Sequence, residues 1–444
     1  MEGTAESLRP SFRNPRRAPP RSLQRIMRIQ QFLQVFVPES ELARQRLAVS
    51  LCMFILGVIN ASWASRIPDV KAALGIDDAA LGLALLAMPL GTFPAMALAP
   101  KIIGAVGARR LIILSAAGCT ASLLWVAGAG SVYTLMASLF LMGFLNSFLN
   151  IANNTQAVVI ERRYGRSIMV QFHGCWSLGG VVGGLFGGIA ASFGVGPSGH
   201  FLFILVFNML VLLFAKDRLI EDAPAWARAD GTAAMEDEAV SNVDAVRRAD
   251  TARRHGLPVF LLLLGVVGFC SMLTEGSMYD WNSVYFVSEL GETGFDARAG
   301  YLAAMVFMVT GRFTADAVIN RFGERFVLTA SSLLMTTGLV MMVALPGFWT
   351  AVAGSAFVGI GMASVVPICY SLAGRSRELS SSAAISLVSA ISFWGFLIGP
   401  PLIGFISHAS SLRMAFGAVI AAPVLIVLLS PVLDRMKRAG GASR

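Results

Sequence analysis

The residues of this chain that could do chemistry are few, and most stand inside long apolar runs. Asn146, Asn150 and Asn153 recur at i, i+4 and i+7 within FLNSFLNIANNTQ. On a helix that spacing puts them on one face. A carboxamide donates and accepts hydrogen bonds, which suits a polyhydroxylated or amine-bearing ligand. The same groups could instead join one helix to another. Glu275, Tyr279 and Asn282 repeat the spacing, and Glu275 is read as the only acidic residue in the apolar part of its segment. A carboxyl at such a position is a candidate proton carrier, or else half of a structural ion pair with Arg66. Asn60 and Trp63 lie one turn apart in NASWASRIP. The indole could stack on a sugar-like ring or anchor the helix at an interface, and Pro68 is expected to end that helix. His173 and Trp176 are also one turn apart; the imidazole could handle protons or make a plain hydrogen bond. Arg312 and Asp316 stand at i, i+4, with Arg321 and Arg325 following, and are expected to form a salt bridge.

The elements that position these groups follow from composition. Of 444 residues, 56% are hydrophobic and 14% charged, where soluble domains carry roughly 25% charged residues. Most of the chain therefore belongs in lipid. The net charge of +9 falls in the N-terminal tail and between apolar runs, so it reads as a topology signal and not as a nucleic-acid surface. The five cysteines lie singly inside apolar runs and suggest neither a disulfide framework nor a metal site. No GxxxxGK[ST], HExxH or GxSxG pattern occurs, so neither an enzyme nor a metal or other cofactor is expected.

A crossing helix needs ~20 apolar residues. Twelve candidates satisfy this: Leu47–Trp63, Ala79–Ala99, Leu111–Ala129, Tyr133–Gln156, Ile168–Phe193 and Pro197–Ala215, then Leu257–Phe286, Ala297–Ile319, Phe326–Leu345, Phe348–Leu372, Ala383–Ile406 and Met414–Leu433. The expected fold is an all-α integral membrane protein of twelve transmembrane helices in two six-helix halves, residues 47–215 and 257–433. A polar linker, 216–256, separates the halves, and basic tails, 1–46 and 434–444, flank them. The N-terminal tail is rich in Arg and Pro and is expected to be disordered. Lys101, Arg109, Arg110, Arg162, Arg163, Arg166, Arg321, Arg325, Arg375 and Arg377 all fall in loops on one side. That side is expected to be cytoplasmic, with both termini on it, in a bacterial inner membrane.

The halves share features. The loop after the second span reads PKIIGAVGARR and that after the eighth DAVINRFGER, each with a Gly just before basic residues. Trp176 and Trp394 each precede a series of glycines, which lets helices approach closely in lipid. DxxxNRFGER resembles the cytoplasmic-loop motif of the major facilitator superfamily, with Asp316 and Asn320 where that motif carries Gly and Asp. NASWASRIPDVKAALGI, FHGCWSLGG and EGSMYDWNSVYF resemble the MosC/YbjJ-like branch of the same superfamily. One member of the branch is associated with loci for an inositol-derived amine and the substrates of the branch are largely undefined, so the resemblance implies the fold and only faintly a small polar solute. It also implies that helices 1, 4, 7 and 10 line a central cavity.

On this reading the chain is a secondary transporter, a permease that moves a sugar-, polyol- or amino-polyol-like solute with protons by alternating access. It is expected to work as a monomer without a partner chain. Glu275 would carry the proton. Asn60, Trp63, Asn146, Asn150, Asn153, His173, Trp176, Tyr279 and Asn282 would meet the solute, and Arg312, Asp316, Arg321 and Arg325 would gate. Efflux of hydrophobic compounds is a second reading, kept open by the Met-rich helices. A membrane sensor that transports nothing is a third.

Overall fold

The computed structural model describes residues 40–165, 168–221, 259–375, 379 and 381–442; most of the 216–256 linker and all but the end of the N-terminal tail lie outside them. The described residues form helices α1 (Glu41–Leu74), α2 (Asp78–Val106), α3 (Ala108–Ala127), α4 (Val132–Tyr164), α5 (Met169–Ser192) and α6 (Pro197–Lys216). After the linker come α7 (Val259–Ser288), α8 (Asp296–Phe322), α9 (Glu324–Ala344), α10 (Phe348–Gly374), α11 (Ser381–Ala409), α12 (Leu412–Val419) and α13 (Ala421–Ala442). Before Gln45, Ser40 starts α1 by accepting from the Ala43 amide through its hydroxyl at 3.2 Å. Asp77 caps α2 by accepting from the Ala80 amide at 2.8 Å, and Ser131 and Thr134 form a capping box on α4.

Among the described residues, eleven helical segments are long and apolar enough to cross a membrane, α12 and α13 counting as one. Their outer faces carry exposed apolar side chains such as Leu114, Trp125, Leu210 and Leu428, a surface suited to lipid and not to water. The remaining segment, α8, is 27 residues long and carries Asp296, Arg298, Arg312, Asp316 and Arg321. Its Arg298 is buried and its Arg312 lines the central cavity, so the charge at these two positions turns inward.

Two boundaries differ from the sequence expectation. Pro68 lies inside α1, which continues to Leu74. Pro68 forfeits one backbone bond, but that stretch is buried against protein, where a freed carbonyl can find other partners. The last span, expected as one helix over Met414–Leu433, breaks at Ile420. Pro423 lies four residues beyond Val419, and a proline ring clashes with the carbonyl at that distance.

The first six helices pack through α2 on α4, α3 on α4 and α3 on α6. The remainder pack through α7 on α11, α8 on α10, α9 on α10 and α9 on α13. Between the two sets, α2 meets α11 and α5 meets α8. The repeat seen in the loops is physical. Gly107 and Gly323 sit at the same junction of each half with φ of 90° and 83°, backbone that favours glycine. Close packing repeats too. A Cβ on Gly57 or Gly179 would collide with the facing carbonyl of Trp176 or Phe54, fastening α1 to α5, and one on Gly395 with that of Phe269, fastening α11 to α7.

Candidate functional site

A cavity of about 610 Å³ lies between the two sets of helices. α1 supplies Asn60, α4 Asn146 and Asn150, α5 His173, Trp176 and Ser177, α7 Glu275, α8 Arg312 and α10 Tyr370. Apart from Ser364 of α10, the remaining wall is apolar and includes Met53, Met169, Met272 and Met362. The lining runs from Asn60 and Glu275 in mid-helix to Met169 and Ile319, near one end of α5 and α8. The cavity therefore faces the side on which α1 begins and α13 ends.

Glu275 is buried in the wall and Arg312 approaches it, Nη2 to Oε1 at 3.5 Å. Arg312 is also held from the opposite half. Its Nη1 donates to Ser177 Oγ at 3.1 Å, and its guanidinium lies 5.5 Å from the Trp176 ring centroid, within cation–π range. The Asn150 Oδ1 accepts from Asn154 Nδ2 at 3.0 Å. The Oδ1 atoms of Asn60 and Asn146 are buried with no protein partner, leaving two unpaired acceptors in residues of the wall.

Other residues expected at the site lie elsewhere. Trp63 is 2% exposed and packed in the core, outside the cavity lining. Asn153 shares a face with Asn146 and Asn150 but lies further along α4, fully buried in protein. Tyr279 packs edge-on against Tyr301, ring centroids 5.8 Å apart. Asn282 donates to Ser355 Oγ at 2.9 Å and joins α7 to α10. Of Glu275, Tyr279 and Asn282, only Glu275 lines the cavity.

The charge pairing differs as well. Arg66 bonds Asp69, with Nε 3.1 Å from Oδ2, and not Glu275. Arg312 pairs with Glu275, and the Asp316 side chain lies outside the described residues. Arg321 rests over the Phe322 ring at 5.3 Å. Arg325 bonds Asp434 at 3.2 Å, so that contact stays within the second half. Asp280, not singled out above, is a second carboxyl of α7; it makes no hydrogen bond or ion pair among the described residues. It was legible as an acidic residue between Tyr279 and Trp281.

The far side of the cavity is closed by contacts between the halves. Arg298 of α8 donates through Nε to the Ser65 carbonyl of α1 at 2.9 Å and bonds Asp69 through Nη2. Arg66 and Arg298 are each 2% exposed and share that one carboxylate. Nearby, Ser407 of α11 bonds Asp78, and His408 Nδ1 lies 3.3 Å from Asp77. Nothing in the loop pattern pointed to this cluster.

Two bundles around a central cavity, with one side closed and the other open, define a membrane transporter. The family model of the Major Facilitator Superfamily matches residues 49–316 and 264–441, and the chain belongs to that superfamily. It is 30% identical to an uncharacterized MFS-type transporter of Yersinia pestis over 84% of this chain and 92% of that protein. It is 30% identical to the membrane protein MosC of Rhizobium meliloti over 87% of this chain and 90% of that one. Among solved structures, the nucleoside transporter NupG superposes with a TM-score of 0.71 at 11% identity, covering 88% of this chain and 99% of that one. A D-xylose-proton symporter does so with 0.68 at 12%, covering 89% and 97%. These likenesses concern the fold. The superfamily is one of transporters and not of enzymes.

Proposed function

We propose that the chain moves a small polar solute across the membrane by alternating access, coupled to protons through Glu275. The observation that carries this reading is the buried Glu275 in the wall of the cavity, beside an arginine anchored on the opposite half. A carboxyl at membrane depth is costly to keep charged, so loading and unloading a proton there changes the balance between states. The free carboxamide oxygens of Asn60 and Asn146 favour a hydroxyl- or amine-bearing solute. The symporter likeness adds that this fold can run on protons. The Met-rich wall is what favours the second reading, efflux of hydrophobic compounds.

A thermal-shift screen of the purified protein in detergent separates the two, because a ligand that binds the folded state stabilises it. The panel spans inositols, amino-inositols, monosaccharides, sugar acids, amino acids and hydrophobic cations. Stabilisation by polar members, abolished in Asn150→Ala, is the expected result. Stabilisation by hydrophobic cations alone would replace this reading with efflux.

A further inference from the structure

We infer that the solute carries an anionic group, a carboxylate on a hydroxyl-bearing frame, and that it binds Arg312 when Glu275 holds the proton. The inference rests on the transport reading above and names its solute class.

The argument is one of charge balance. Among the described side chains of the cavity wall, the acidic group is one carboxyl, Glu275, and the strongly basic group one guanidinium, Arg312, and they meet each other. A guanidinium cannot give up its proton in a protein. When Glu275 takes a proton, Arg312 therefore keeps a full positive charge in a largely apolar cavity, and an uncompensated charge there is strongly disfavoured. Ser177 Oγ and the Trp176 face also hold Arg312 in the wall from α5, contacts that do not involve Glu275. An incoming carboxylate restores neutrality and gains charge-assisted hydrogen bonds.

The surroundings agree. The titratable groups around Glu275 are Arg312 on α8 and Tyr370 on α10, with Tyr279 on its own helix and His173 of α5 in the same cavity wall. Among the described side chains of the wall, none contributed by another helix is a second carboxylate that could replace Glu275 as the partner of Arg312. A cationic solute would meet Arg312 as a like charge. A neutral polyol would satisfy Asn60 and Asn146 but leave Arg312 unpaired in the protonated state. The sequence suggested a gating role for Arg312; its place in the wall also brings it within reach of a solute.

Glucose, glucuronate and glucosamine test this, since they share one ring and differ in a hydroxyl, a carboxylate and an amine. Their binding to the full-length protein in detergent is measured by titration calorimetry in two buffers of different ionisation heat. Glucuronate is expected to bind about tenfold or more tightly than glucose, with net proton uptake, and glucosamine more weakly than either. In Arg312→Gln the preference for glucuronate falls to about that of one neutral hydrogen bond, a few-fold at most. A wild-type protein that binds glucose or glucosamine as well as glucuronate, or fails to bind glucuronate, overturns the anionic class. Binding of glucose or glucosamine alone would leave the polar-solute reading standing. That reading fails separately, if only hydrophobic cations stabilise the protein.

Discussion

Replacing Asp69 by Asn leaves Arg66 and Arg298, both buried, without the carboxylate they share. The two guanidiniums then repel across the α1–α8 seam that closes the far side of the cavity. Removing one partner of a buried charge pair costs roughly 3–5 kcal/mol. Asp69 is 33% exposed, so solvent screening brings the figure down to about 1–2 kcal/mol. The Ser65 carbonyl still accepts from Arg298 in the variant, which also argues for the lower range. The loss falls on the state closed on this side, since Arg298 and Asp69 belong to different halves. The equilibrium should therefore move toward the opposite opening by about 5- to 30-fold. Spin labels at Tyr133 and Trp349, exposed at the starts of α4 and α10 in opposite halves, report that movement by pulsed electron resonance. Cys175, half-buried, is replaced by Ser to keep labelling specific. A longer-distance population that grows in Asp69→Asn is expected. An unchanged distance distribution in a folded variant would refute the assignment of this cluster as the closing contact.

Other outcomes follow from the same geometry. Gly57→Leu places a side chain where the Trp176 carbonyl lies. Overpacking costs about 1–3 kcal/mol or more, so the melting temperature and the yield of monodisperse protein should both fall. Asn150→Ala, in the cavity wall, should weaken solute binding with an unchanged melting temperature. Asn153→Ala should leave binding unchanged and the melting temperature equal or higher, because both amide atoms of Asn153 are buried without partners and removing such a group relieves a penalty. Arg325→Gln breaks a pair whose arginine is 53% exposed, and its melting temperature should move by less than about 1 kcal/mol implies.

The membrane class and the helix order were legible because lipid imposes a length and a composition that few other contexts require. The repeated glycine before the basic loops was also legible, and it corresponds to matching backbone at Gly107 and Gly323. The direction in which each polar residue faces was much less so. Periodicity says that Glu275, Tyr279 and Asn282 share a face, but not what that face meets at each level. Glu275 meets the cavity, Tyr279 meets Tyr301, and Asn282 meets Ser355. The same limit applies to Asn146 and Asn150 against Asn153. Long-range charge pairs lay beyond reach altogether, since Arg298 finds its partner 229 residues away. For Arg312 the sequence offers Asp316 as a local partner, whereas the contacts with Glu275 and Ser177 are made only by the fold. Trp394 resembles Trp176 in sequence context, yet it is 55% exposed and outside the cavity lining while Trp176 lines the cavity. The internal repeat is thus one of packing, not of site chemistry.

The central claim is that Glu275 couples proton movement to movement of a polar solute. Its most direct measurement is proton flux in proteoliposomes that trap a pH-sensitive dye, with members of the polar panel that stabilise the protein added outside. The account predicts a pH change inside that depends on the solute, and its loss in Glu275→Gln with the solute still bound. Solute movement without any pH change, or the same pH change in Glu275→Gln, would contradict it.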